Sequence, residues 1–206
     1  MKKSLWPLLA GAAVFVAGCI VTSVEPFYTS KDLTFDPALV GNWTNAKEAG
    51  ERWKFEIGAT NAYRLTYTDD KKSSVMLARL FKLEGESFLD LFTTEEKDDA
   101  QPPPIPAHSL LRVFQITPNL RMAMLNYEWL AEVLTQDPKA LRHHIIKSED
   151  ESDKGRLVLT ASTSELQDFI RKHLKTEEAW KDAFELNLDV SPAKTEGRTN
   201  DLHSAK

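Results

Sequence analysis

Arg52-Trp53-Lys54-Phe55-Glu56-Ile57-Gly58-Ala59-Thr60-Asn61-Ala62-Tyr63-Arg64-Leu65-Thr66-Tyr67 is the stretch whose reading decides the fold class. Trp53, Phe55 and Ile57 alternate with charged residues, and Tyr63, Leu65 and Tyr67 alternate with Arg64 and Thr66. A period of two puts every second side chain on one face, so each run reads as a strand with one buried side. Gly58 to Asn61 supplies turn chemistry between them, which predicts an antiparallel hairpin.

Working outward, the strand pattern continues on both sides. Upstream, the body is expected to start near Asp36-Pro37 and run through Leu39 into Gly41-Asn42-Trp43. Downstream, Ser74 to Leu83 is apolar on both faces and predicts a more central strand. Gly85 turns the chain into Phe88 to Phe92, and Leu110 to Ile116 and Leu120 to Leu125 are joined through Pro118-Asn119. Glu95 to Pro106 interrupts the series with charges and then Pro102-Pro103-Pro104-Ile105-Pro106, which has too few donors for a ladder. It reads as a stiff solvated connection or, in a second reading, as a segment that docks a partner.

Beyond residue 125 the period changes. Trp129, Leu130, Val133 and Leu134 stand at helical spacing, and Ile145-Ile146 and Leu157-Val158-Leu159 predict two more strands around the polar loop from Ser148 to Gly155. Ser162 and Glu165 have capping-box spacing ahead of the stripe Leu166, Phe169, Ile170 and Leu174. Ala179, Trp180, Ala183 and Phe184 predict a second helical stripe after Thr176.

The amino terminus carries a different signal. Met1-Lys2-Lys3 is basic, Leu5 to Val16 is an apolar run, and Val16-Ala17-Gly18-Cys19 follows, with Cys19 the one cysteine of 206 residues. Basic start, short apolar centre and small-residue end are the parts of a signal peptide. Val16-Ala17-Gly18-Cys19 resembles the lipobox of bacterial lipoproteins. That resemblance implies a diacylglyceryl group on the Cys19 sulfur, cleavage after Gly18 and acylation of the new amine. Ile20, in place of an aspartate, implies the outer membrane, with the protein facing the periplasm or the surface. The organisation expected is a signal peptide at 1–18, a lipid-proximal tether at 19–36, one β-rich domain at 37–188 and a polar tail at 189–206.

Gly41-Asn42-Trp43, at the start of the first strand, resembles the G-x-W motif of the lipocalins. In that family the tryptophan closes one end of an eight-stranded barrel and a late helix packs outside it. A wider resemblance covers Asp36-Pro37 to Trp43, Phe88-Leu89-Asp90-Leu91, His108 with Arg112-Val113, Trp129-Leu130 and Leu159-Thr160-Ala161 to Phe169. These stretches look like a set of small bacterial lipoproteins with no assigned activity. The fold class expected is therefore α+β, mainly antiparallel β. The architecture expected is a lipocalin-like barrel or strongly curved sheet with C-terminal helices packed on it.

Composition limits the chemistry. The chain carries 26 basic and 31 acidic side chains for a formal charge of −5, and removing the signal takes Lys2 and Lys3 and no acid. An acidic body argues against phosphate-backbone binding, so no nucleic-acid partner is expected, and membrane attachment falls to the lipid. With no thiol after Cys19, thiol catalysis and cysteine-zinc sites are excluded. His143 and His144 are neighbours on a strand and face opposite ways, so no metal is expected, and no cofactor beyond the covalent acyl groups. The sequence offers no nucleophile elbow or phosphate loop. No catalytic residue is assigned.

Three functional readings remain. The first is a lipid-anchored envelope protein that binds an apolar small molecule or a protein partner, with Trp43, Trp53, Phe55, Tyr63, Tyr67 and Phe88 as candidate ligand-lining residues. The second is a structural or interaction module of the envelope with a filled core. The third is a hydrolase-type enzyme using His108, His143 and nearby acids.

Overall fold

The structure is a computed structural model, and it describes residues 21–48, 50–69, 72–93, 107–146 and 156–190. The signal and lipobox, the proline run, the Ser148 to Gly155 loop and the tail from 191 lie outside the described residues.

Eight strands close an antiparallel barrel. They are β2 (Gly41–Asn45), β3 (Arg52–Ile57), β4 (Tyr63–Asp69), β5 (Lys72–Leu83), β6 (Glu86–Thr93), β7 (His108–Gln115), β8 (Asn119–Met124) and β11 (Phe184–Leu188). Each pairs with the next in that order, β11 pairs back to β2, and the ring has no open edge. Closure removes the unpaired donors and acceptors that an open sheet would leave at its ends. This is the lipocalin-like barrel the sequence suggests.

Alternation along the strands builds two cores from one wall. Inward-facing residues form the first: Trp43, Trp53, Phe55, Tyr63, Leu65, Ala78, Leu80, Leu89, Leu111, Leu120, Met122 and Leu186 are all buried. Outward-facing residues of β5 to β8 begin the second. Phe81, Phe88, Leu110 and Ala123 share an apolar cluster with Leu130 and Leu134 of α1 (Tyr127–Gln136) and with Leu166, Phe169 and Ile170 of α2 (Thr163–His173). The Phe88 ring lies 5.8 Å from that of Trp180, and Arg112 Nη1 donates to Leu174 O at 2.7 Å. The α1 start is capped by Asn126, whose side chain accepts from Trp129 N at 2.8 Å. At α2 the expected capping box is present, with Ser162 N donating to Glu165 Oε2 at 2.8 Å.

A three-stranded wing leaves the barrel beside β7, where β8 does not reach. In it β1 (Thr22–Ser23) runs antiparallel to β7 and parallel to β10 (Arg156–Leu159), and β9 (His143–Ile146) pairs with the far side of β10.

Three expectations are corrected. Residues 21–36 are not a free tether: Val21 and Phe27 are buried, β1 joins the sheet, and Leu33 bridges to Phe81. The wing and the barrel wall offer this segment hydrogen-bond partners that its irregular polarity does not advertise. The second helical stripe is also replaced. Glu177–Trp180 is one 3-10 turn, and Phe184 opens the strand that closes the barrel. Closing the ladder on both sides satisfies that backbone more completely than one more helical turn would. Ile57, expected on the buried side, is 72% exposed, because it lies past Phe55, the last β3 residue that β2 covers.

Candidate functional site

One end of the barrel is sealed from within. Trp43 Nε1 donates to the carbonyl of Leu39 at 2.9 Å, which holds the 3-10 turn Pro37–Leu39 under the opening. The Tyr63 hydroxyl accepts from Asp36 N at 2.7 Å and donates to Asp36 O at 3.1 Å, while Phe35 stacks on its ring at 4.8 Å.

The candidate ligand-lining residues divide. Trp43, Trp53, Phe55, Tyr63 and Tyr67 do meet inside the barrel: Trp53 contacts the rings of Phe55 at 6.3 Å and Tyr67 at 5.3 Å, and Phe55 meets Tyr63 at 6.2 Å. Phe88 is not among them. It faces outward and stacks on Phe81 at 5.4 Å, because its neighbours Leu89 and Leu91 take the inner face of β6. Water-sized space inside the barrel would leave exposed surface on its lining. Trp43, Trp53, Tyr63, Leu65, Leu89, Leu111, Leu120 and Leu186 instead stand at 0% exposure. Their side chains fill the interior, as close packing of a small barrel favours.

The opposite end is concave. A cleft of about 390 Å³ is lined by Asn45, Glu48, Glu51, Met124, Phe184 and Glu185 among others. Its organising group is Glu51, a carboxylate only 7% exposed that the sequence pattern does not single out. Asn45 Nδ2 donates to Glu51 Oε2 at 2.6 Å and Trp53 Nε1 donates to Glu51 Oε1 at 2.9 Å. These bonds fix the carboxylate at the floor of the cleft, above the filled interior of the barrel. The field nearby is negative: burial, with the charges of Glu51 and Asp69, pushes the Glu48 carboxyl up. Burial, reinforced by Glu51, Asp69 and Glu48, pushes the Tyr67 hydroxyl well above the ordinary phenol range. The rim sets Glu48 and Glu185 against one base, Lys47, with Arg121 3.9 Å from Glu185, and its acidic balance over Met124 and Phe184 suits a basic, partly apolar side chain. The one local signal is the position of Glu51, a residue before an alternating strand that begins Arg52-Trp53.

The histidines are dispersed. His108 is buried on β7, its Nδ1 2.7 Å from Asp90 Oδ1, and Asp90 Oδ2 accepts Phe27 N at 3.0 Å. This clasp ties the amino-terminal segment to the barrel wall. His143 Nδ1 donates to Leu141 O at 2.9 Å at the far edge of the wing. The register runs His108, Ser23, Leu159, His143, so three inter-strand steps of roughly 4.8 Å put their α-carbons about 14 Å apart. His173 lies against Phe169 at 4.6 Å and Trp129 at 5.0 Å. Among the described residues, no group of three His, Cys, Asp or Glu side chains is placed to hold a metal ion.

No family model, no curated protein and no solved structure matches this chain.

Proposed function

We propose that this chain is a lipid-anchored interaction module of the bacterial cell envelope, attached through Cys19 and facing the periplasm or the surface from the outer membrane. Its barrel is a filled scaffold, and α1 and α2 serve as a cover packed on the barrel wall. The cleft over Glu51 is the docking point for a basic, partly apolar segment of an envelope protein. The observation that carries this reading is the burial of the interior, where Trp43, Trp53, Tyr63, Leu65, Leu89, Leu111, Leu120 and Leu186 stand at 0% exposure, and which favours a filled barrel over one that carries an apolar small molecule. Of the two binding roles that the sequence allows, carriage of a small molecule and docking of a protein, the packing favours docking. Val16-Ala17-Gly18-Cys19 supports the anchor, and more than one acyl chain makes such anchoring stable. The separation of His108 from His143 gives the hydrolase reading no support.

Two measurements test the proposal. Cys19→Ser is expected to move the protein from the membrane to the soluble fraction or to leave it unprocessed. A mutant as membrane-bound and as mature in size as the parent would sink the anchor. A photo-crosslinker at Glu185, on the cleft rim, is expected to trap a protein in cells while one at Lys54, on the outer face of β3, does not. Stoichiometric non-covalent lipid in the purified protein would overturn the filled-scaffold reading in favour of carriage.

A further inference from the structure

The wing of β1, β10 and β9 has two unlike faces. Val21, Ser23, Leu157 and Leu159 are buried on the inner one. By alternation the outer face presents Thr22, Val158 and His144 in one row and Arg156 opposite Ile146 in the next. Ile146 is 49% exposed, its neighbour Ile145 43%, and Val24, just past β1, 48%. Single exposed apolar residues are ordinary. Here Ile146 on the outer face and Ile145 on the inner one both stand exposed at the end of an edge strand, whose one partner among the described strands is β10. None of the outer-face residues of the three strands is a carboxylate, although the protein is acidic as a whole.

The path of the chain says what lies against this surface. Because β1 is parallel to β10, with Thr22 opposite Val158, the chain reaches Val21 at the end of the wing where Arg156 pairs with Ile146. Cys19 is two residues before Val21, so its α-carbon is within about 7 Å of that of Val21 whatever path the chain takes. On the anchoring reading, acyl chains on Cys19 would enter a bilayer at the same end of the wing as Ile145 and Ile146, two strands away, with no tether long enough to lift the barrel away.

We propose that the Ile145–Ile146 end of the wing rests directly on the lipid surface that holds Cys19. The isoleucines sit at the boundary of headgroups and acyl chains, and Arg156 and His144 lie level with the phosphates. Arg156 can lay its apolar stem along the surface and keep its charge in the polar layer. The barrel is thereby oriented, not merely tethered, with the β3 wall on the far side of the ring from β7. This inference rests on the anchoring reading above.

The test uses the full processed protein in zwitterionic phosphatidylcholine vesicles. That composition keeps the acids Glu149, Asp150, Glu151 and Asp153 of the β9–β10 connection from deciding the result by charge. Ile146→Cys and, separately, Lys54→Cys are labelled with an environment-sensitive fluorophore. A thioether-linked Cys19 takes no label, so an unlabelled parent reports the anchor independently. The label at 146 is expected to shift to the blue and to be quenched severalfold more by brominated acyl chains than the label at 54. Moving the label to Arg156→Cys, opposite Ile146 at the same end of the wing, should preserve strong quenching, and adding Ile145→Ser with Ile146→Ser should reduce it. Vesicle-bound protein with equal, weak quenching at 146 and 54 overturns the contact and leaves the anchor standing. A disulfide-linked Ile146→Cys dimer without quenching overturns it in favour of a second copy of the chain. A parent that labels at Cys19 and stays in solution overturns the anchor and this contact together.

Discussion

At the scale of single residues, Gly41 and Asp90 each hold a position no neighbour could take. Gly41 has φ +154°, and a Cβ there would stand 2.7 Å from Leu188 Cδ1. The leucine is partly exposed and its tip can swing aside, whereas the backbone angle cannot relax without moving the strand. Gly41→Ala should therefore cost about 1–3 kcal/mol in urea unfolding, from backbone strain. Adding Leu188→Ala should return only a small part of it. Full recovery in the double variant would show that the contact, not the angle, selects glycine. Asp90 serves the His108 ring and the buried Phe27 N–H at once. Asp90→Ala strands both, for about 1–3 kcal/mol per unsatisfied buried group. An unchanged urea midpoint would mean that the clasp contributes nothing. Both positions are visible in the sequence, Gly41 within Gly41-Asn42-Trp43 and Asp90 inside an apolar strand, but their partners are far along the chain. Phe27 is 63 residues from Asp90, and no local pattern announces a contact at that range.

At the scale of elements, the start of α2 and its contact with α1 respond to pH in separate windows. Glu165 accepts from Arg142 Nη2 at 2.6 Å and from Ser162, and these bonds pull its carboxyl from the ordinary 4.5 down to about 2. A depressed carboxylate stabilises the folded state fully above the ordinary value and loses that contribution as pH falls toward the folded one. An acid titration followed by the helix signal should show α2 loosening between about pH 4.5 and 2. Arg142→Ala should move that loss to higher pH; an unmoved curve would exclude the pair as its cause. Burial, aided by Lys172, lowers the His173 imidazole, so this ring resists protonation when folded. Its contribution is complete above its ordinary 6.5 and declines as pH falls below it. His173→Gln should abolish that upper window and leave the lower one intact.

The elements also mark where local reading succeeds. The alternation of Trp53 with Phe55 and of Tyr63, Leu65 and Tyr67 is a property of neighbours, and β3 and β4 follow from it with their hairpin. So does the capping box of α2. Phe184 misleads because Ala179, Trp180, Ala183 and Phe184 mimic a helical stripe. In fact Trp180 serves the outer core and Phe184 packs against the barrel interior, across a break at Lys181–Ala183.

At the scale of the whole molecule, one wall serves two cores. Phe88 and Leu89 are adjacent, both at 0% exposure, and belong to opposite clusters. Phe88→Ala should cost about 3–5 kcal/mol and Leu89→Ala about 2–5 kcal/mol, although only Leu89 touches the barrel interior. Equilibrium unfolding reads both values, and a near-neutral Phe88→Ala would show that the outer cluster is decorative. A run such as Phe88-Leu89-Asp90-Leu91-Phe92 announces burial on both faces but cannot say which face is inside a barrel. That assignment comes from ring closure, where β6 meets β7 across residues 94–107, and this is why the sequence alone places Phe88 among the lining residues.

The ring is shut by β11, which pairs with both β2 and β8 although β2 opens the barrel and β11 is its last strand in chain order. During synthesis, the first strand emerges long before the strand that completes its neighbourhood. Until Phe184–Leu188 arrives, β2 and β8 each present a raw ladder to whatever else is nearby. A chain cut short before Phe184 is therefore expected to leave those two edges open and to pair with its own copies.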